Sequence, residues 1–361
     1  MSTGPIALAK YAARSEKHTK AVNLALQGGG AHGAFTWGVL DRMFEDGRIW
    51  VDAISGTSAG AMNAVVASQG MYDGGGAGAR AELERFWHAV SKAGQASPIK
   101  RSPMDRLLGN WSLDTSPGYV WLDLMSRVAS PYDTNPMGID PLRDLVDEFV
   151  DFDKVRDCED MPIFISATNV ETGRVRVFPR EEITADVVMA SACLPSMFHA
   201  VEIDGVPYWD GGFMGNPVLF PFAEHSPCSD IVIVQINPVV RKGTPRTARE
   251  IQNRVNEITF NSSLMKELRA IDFVDRLIDE GKLSGDEYRR LNVHIIEATE
   301  ELSPLGASSK LNSEWSFLVH LKDIGRQAAA RWIDANFDQI GERSTVDLRA
   351  MFGEIGMTHR G

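Results

Sequence analysis

The stretch Ala21–Gly33, "AVNLALQGGGAHG", decides how the chain is read. Its first seven residues are mostly apolar and end in a glycine cluster, the pattern of a short buried strand. Helical spacing takes over behind the cluster, in Ala34–Gly47 "AFTWGVLDRMFEDG", with Phe35, Val39, Leu40 and Met43 on one side and Gly47 as the stop. A second apolar run, Ile49–Ser55 "IWVDAIS", leads into Gly56–Gly60 "GTSAG" and then into a small-residue helix. Strand, glycine turn, helix and strand again is the start of a parallel α/β unit.

The alternation continues downstream. Pro162–Val170 "PIFISATNV", Val175–Pro179 "VRVFP" and Asp230–Pro238 "DIVIVQINP" read as strands, separated by helix-like Asp140–Val150 and Thr184–Leu194. The fold class expected is α/β: a mainly parallel central sheet flanked by helices, with a mostly helical part after Arg241. Residues 1–20 are expected to be a polar lead-in, 21–240 the catalytic domain, and 241–361 a helical extension packed on the core. Gly74–Arg80 "GGGAGAR" reads as a flexible connection. The segment 101–138 holds Trp111, Tyr119, Trp121 and Met125; it is a loop-rich piece packed on the core or a lid lining an acyl-chain groove. Residues 250–280 place Ile251, Val255, Ile258, Met265, Leu268 and Ile271 on one side, a face expected to meet the core or a partner.

Composition narrows the class. The 361 residues are 43% hydrophobic with a formal net charge of −12, which disfavours nucleic acid as a partner and broad attraction to anionic membranes. Cys158, Cys193 and Cys228 form no CxxC pair and fit free thiols in a reducing compartment. No signal-peptide core or membrane-length apolar run is visible, so the expected location is cytoplasmic. No clustered His, Asp and Glu suggests a metal, and no cofactor is expected.

The glycine cluster Gly28–Gly33 has two readings. As Gly28-x-Gly30-x-x-Gly33 it fits a dinucleotide fingerprint, with Asp52 about 20 residues on. Alternatively, its amides approach an oxyanion without a Cβ in the way and hold the charge on an attacked carbonyl. "GTSAG" between strand and helix has the layout of a nucleophile elbow, with Ser58 exposed and the Ala59 N–H as an oxyanion donor. The plain alternative is a serine capping a helix. No histidine lies in a triad signature. Asp210, ahead of Gly211 and Gly212 in "YWDGGFMGNP", is a candidate base or an ordinary Asp-Gly turn.

Taken together, "GGGAHG", "GTSAG" and "DGG", with Ala167–Phe178 "ATNVETGRVRVF", Ala190–Phe198 "ASACLPSMF" and Asp210–Pro217 "DGGFMGNP" in order, closely resemble the patatin-like phospholipases. The resemblance runs from Ala21 to Phe222. It implies a three-layer α/β fold and a Ser-Asp dyad without histidine. Ser58 would be the nucleophile, Asp210 the base, and Gly28, Gly29 and Gly30 oxyanion-hole donors beside Ala59; Gly33, Gly56, Gly60, Gly211 and Gly212 are the motif glycines. A common form of the loop carries Arg or Lys where this chain has His32, and His32 is left out of the catalytic set. The expected activity is hydrolysis of lipid carboxylic esters through an acyl-serine. The substrate would be a lipid or other acyl ester, met in transient contact with a membrane surface. Acyl transfer from the same intermediate, or a non-enzymatic dinucleotide- or lipid-binding protein, are the rival readings.

Overall fold

The computed structural model describes residues 18–284 and 288–353; most of the expected lead-in lies outside them. Eight strands form one sheet in the order β5-β6-β3-β2-β1-β7-β8, with β4 also on β3. They are β1 (Lys20–Leu26), β2 (Ile49–Gly56), β3 (Ile163–Asn169), β4 (Val175–Pro179), β5 (Val201–Ile203), β6 (Val206–Asp210), β7 (Asp230–Val234) and β8 (Asn292–Ile296). The five strands β3-β2-β1-β7-β8 run parallel, whereas β4, β6 and β5 extend one side antiparallel.

Five helices matter for the site: α1 (Gly33–Asp46), α2 (Ala59–Gly94), α3 (Ala185–Ser191), α4 (Ala248–Asp279) and α5 (Trp315–Asn336). β7 shows why three layers form. Val232 and Val234 join the core under α1, α2 and α5, while Ile231 and Ile233 join a second core with Leu264 and Leu268 of α4. A strand buried on both faces needs an unbroken apolar run, and "DIVIV" supplies it. Each large side chain so enclosed contributes about 1.5–3 kcal/mol.

Three local features bear on the expectations. The glycine-rich connection shrinks to a two-residue break at Gly74 and Gly75 within α2, which resumes at once. The region after Arg241 is mostly helical, as expected, with one strand, β8, that extends the parallel sheet beside β7; its α5 packs on α1 so closely that a Cβ on Gly38 would strike the Lys322 carbonyl. The first half of α4 turns its apolar side outward. Ile251, Val255 and Ile258 are exposed, while Glu257 and Asn261 are buried. The reason is chemical: Glu257 pairs with Arg241 and Arg254, and Asn261 bonds to the buried Gln27 next to the glycine loop.

Segment 101–138 forms three short helices, Pro103–Leu107, Pro117–Met125 and Pro131–Thr134. Each opens on Ser-Pro, the cap and first-turn residues that start a helix most readily. Trp111 packs against Phe317. Leu107, Leu108, Trp121, Leu124, Val128 and Met137 stay exposed. No described helix is long and apolar enough to cross a membrane.

Candidate active site

The glycine loop and the serine turn meet at the carboxyl ends of the adjacent parallel strands β1 and β2. Ser58 has φ 54° and ψ −120°, a conformation that side-chain-bearing residues rarely adopt and that costs about 1–3 kcal/mol. The neighbouring glycines make the bend possible. A Cβ on Gly56 would sit 2.6 Å from the Gly60 carbonyl oxygen, and one on Gly60 would run into the Leu26 carbonyl of β1. The loop is equally close: a Cβ on Gly28 would lie 2.8 Å from Ser58 Cβ, and one on Gly33 2.6 Å from Ala59 Cβ. Gly30 has φ +58° and lies against the Lys310 carbonyl. Ser58 does not cap α2 through its side chain; its backbone N–H instead donates to Ser191 Oγ of α3 at 2.8 Å.

Asp210 closes β6 and is clamped through its backbone. Its N–H donates to the Cys193 carbonyl at 2.7 Å, and its carbonyl accepts from Thr168 Oγ1 at 2.8 Å. Its Oδ1 accepts from the Gly212 N–H at 2.6 Å. A Cβ on Gly212 would lie 2.8 Å from that same Oδ1, and one on Gly211 would strike the Ser166 carbonyl. The carboxylate is 2% exposed. Burial drives its pKa up to about 7, against the pull of the Gly212 amide, the nearby Ser58 side chain and the Lys310 charge. A carboxylate with that pKa is matched to proton transfer near neutral pH.

Six of the seven described histidines are engaged as follows. His32 is buried, bonded to Ser309 Oγ at 2.8 Å, and held neutral by burial and by Lys310, which push its pKa down to about 3. His88, His320 and His225 pack on Trp315, Trp111 and Phe164. His199 lies on Tyr132 and Pro131, and His294 bridges Asp230 and Thr345.

Of the amides in and beside the glycine loop, the Gly28 N–H donates to Asn216 Oδ1 at 2.7 Å. Those of Gly29, Gly30 and Ala59 lie at the openings of a 3-10 turn and of α2, where first-turn amides have no acceptor within their own helix. The dinucleotide reading loses its acidic anchor. Asp52 is buried within β2 and accepts from Ser226 Oγ at 2.6 Å.

Sequence reasoning missed a buried amide network behind the loop. Gln27 Oε1 accepts from the backbone amides of Ile236 and Asn237 at 2.8 and 2.9 Å. Gln27 Nε2 donates to Asn261 Oδ1 at 3.0 Å, and Asn261 Nδ2 donates to the Pro238 carbonyl at 3.1 Å. Gln27 reaches its partners across more than 200 positions, so no local pattern announces them. The only available signal was polarity at apolar-looking places, such as Asn237 at the end of "DIVIVQINP".

Matches among solved structures include VipD from Legionella pneumophila, 15% identical, covering 86% of this chain and 67% of that one at a TM-score of 0.35. The ExoU–SpcU complex from Pseudomonas aeruginosa matches at 13% identity and a TM-score of 0.32, over 89% of this chain; the chain spans about half that protein's length, 53%. No curated protein matches the sequence. The model of the family described as patatin-like phospholipase matches residues 24–223, a span that holds the glycine loop, the serine turn and Asp210, and by that match the chain belongs to the patatin-like phospholipase family.

Proposed function

We propose that the protein hydrolyses carboxylic esters of lipids through an acyl-serine formed on Ser58, with Asp210 as the base. The observation that carries this reading is Ser58 on a strained turn, in the electrostatic neighbourhood of the buried Asp210 carboxylate, whose pKa is raised to about 7. A serine hydroxyl is a weak nucleophile until a base takes its proton, and an aspartate at its ordinary pKa of about 4 is poorly suited to the task. Burial removes that mismatch.

Asp210 accepts the proton as Ser58 Oγ bonds to the ester carbonyl carbon. Negative charge then gathers on the former carbonyl oxygen, where the amides of Gly29, Gly30 and Ala59 receive it. Fixed donors aimed at that charge are commonly the largest single contribution in acyl transfer. Collapse breaks the bond to the leaving alkoxide, and Asp210 returns the proton to it. Water repeats the sequence in reverse to release the acid. An alcohol in place of water would give acyl transfer, and added alcohol partitions the intermediate measurably.

The exposed apolar side chains suit a lipid substrate. Half of the large exposed apolar residues among those described lie between Met104 and Ile139, and patches of this kind mark surfaces that meet apolar partners. The segment is anchored beside the site on two sides. The Leu113 N–H donates to Ser308 Oγ at 3.2 Å, and Tyr132 stacks on His199. The Asp114–Arg249 ion pair, at 3.3 Å, joins it to the start of α4, where Ile251 and Val255 are also exposed. This rim is proposed as the contact with a lipid aggregate.

Hydrolysis of p-nitrophenyl esters tests the reaction. Ser58→Ala should abolish it and Asp210→Asn should reduce it by several orders of magnitude, with circular dichroism unchanged. Retained turnover in either variant would remove that residue from the mechanism.

A further inference from the structure

Lys310 lies in the short turn Ala307–Leu311, outside the span that the family model matches. Its carbonyl and Cβ lie over Gly30, 2.5 and 3.3 Å from where a Cβ would be. Its Nζ donates to Asn237 Oδ1 at 2.7 Å, and Asn237 Nδ2 donates to the Gly28 carbonyl at 3.0 Å.

An ammonium group can only donate. It therefore fixes the Asn237 amide with oxygen toward Lys310 and nitrogen toward Gly28. The Gly28 carbonyl belongs to the same peptide plane as the Gly29 N–H, and in a trans peptide the two point to opposite sides. A donor held on that carbonyl sets the tilt of the plane and polarises the N–H across from it. The preceding amide, Gly28 N–H, is pinned in turn by Asn216 Oδ1. Both peptide groups leading into the loop are thereby locked from behind.

We propose that Lys310, acting through Asn237, is a positioning residue of the oxyanion hole that aims and polarises the Gly29 N–H. The inference rests on the acyl-serine reading above and adds to it a part supplied by the far end of the chain. A direct effect of the charge is the weaker explanation. Lys310 also lies within electrostatic range of Asp210, and negative charge leaves Asp210 as it arrives on the oxyanion. A cation near both favours ground and transition states alike and gains little rate. The relay through Asn237 acts only where the new charge develops.

The test combines Lys310→Met, Asn237→Asp and the double variant, assayed for kcat and KM on a soluble p-nitrophenyl ester. Asn237→Asp keeps an acceptor for Lys310 and removes the donor to Gly28, along with a longer contact of 3.4 Å to Gln27 Oε1. Each single change should lower kcat about 30-fold or more, toward the loss seen when an oxyanion donor is removed, with KM within about threefold. The double variant should lose far less than the product of the two, because the residues act as one unit. Should Lys310→Met fail to fold, Asn237→Asp decides alone. A near-parental kcat in either folded variant, or multiplicative losses, overturns the inference. Labelling of the parent chain by a fluorophosphonate keeps this result separate from the reading beneath it. A parent labelled at Ser58 with unaffected variants sinks only the role of Lys310. A parent that neither turns over ester nor is labelled sinks both.

Discussion

Replacing Asp210 with Asn should make the protein more stable as the pH rises, while removing its activity. Burial raises the folded-state pKa of Asp210 from 3.8 to about 7, so between these values the native state holds a proton that the unfolded chain has released. A raised carboxylate pKa means that stability is lost as pH climbs through this window and is constant above it. The loss integrates to about 1.7 kcal/mol by pH 5 and about 4 kcal/mol by pH 8, a difference of about 2.5 kcal/mol. An asparagine carries no such dependence. It also preserves the shape, and its oxygen can still accept from the Gly212 amide. Any constant effect of the swap cancels when the two pH values are compared. Thermal unfolding of parent and variant should therefore diverge by roughly 3 °C more at pH 8 than at pH 5. The companion assay is kcat/KM of the parent, which should fall about tenfold for each pH unit below 7 as the base is protonated. A constant gap in melting temperature, with a flat rate profile down to pH 5, would refute a buried base with a raised pKa at position 210.

Backbone strain at Ser58 makes Ser58→Gly more stable than Ser58→Ala by about 1 kcal/mol, the reverse of the usual order; chemical denaturation of the two inactive variants checks it. Gly60→Ala should cost about 3 kcal/mol or more, because the new methyl meets the fixed Leu26 carbonyl. Gly47→Ala, which faces open space at φ +68°, should cost only about 1–2 kcal/mol. Comparable unfolding midpoints for these two variants would show that the elbow tolerates a side chain. Trp121→Ser with Leu107→Ser should lower turnover of phospholipid vesicles roughly tenfold, equivalent to about 1.4 kcal/mol of lost apolar contact. Hydrolysis of a soluble short-chain ester should be unchanged. Equal effects on both substrates would place the exposed rim outside lipid contact.

What could be read from the sequence was what local chemistry enforces. A strand ending in consecutive glycines, and a serine between two more, are backbone requirements, and the structure shows each glycine meeting a neighbour too close for a side chain. The parallel order of the first strands followed from the same alternation. Less legible was whatever depends on distant pairing. Within the part after Arg241, read as mostly helical, β8 went unread because it is only five residues long and its apolar pattern, "NVHII", contains the histidine that bonds to Asp230. α4 was read by its apolar stripe, whereas its first half buries Glu257 and Asn261 against Arg241 and the Asn237–Pro238 segment. Periodicity assumes that apolar means inside, and it fails where a buried polar network is the partner. Lys310 gave no signal for the same reason: its role depends on Asn237 and Gly30, which are 73 and 280 positions away.

The central claim is tested most directly by treating the parent chain and Asp210→Asn with a fluorophosphonate and mapping the modified peptide by mass spectrometry. Stoichiometric phosphonylation of Ser58 in the parent, slowed by orders of magnitude in Asp210→Asn, is the predicted result. Label on another residue, or ester turnover that persists while Ser58 stays unmodified, would contradict it.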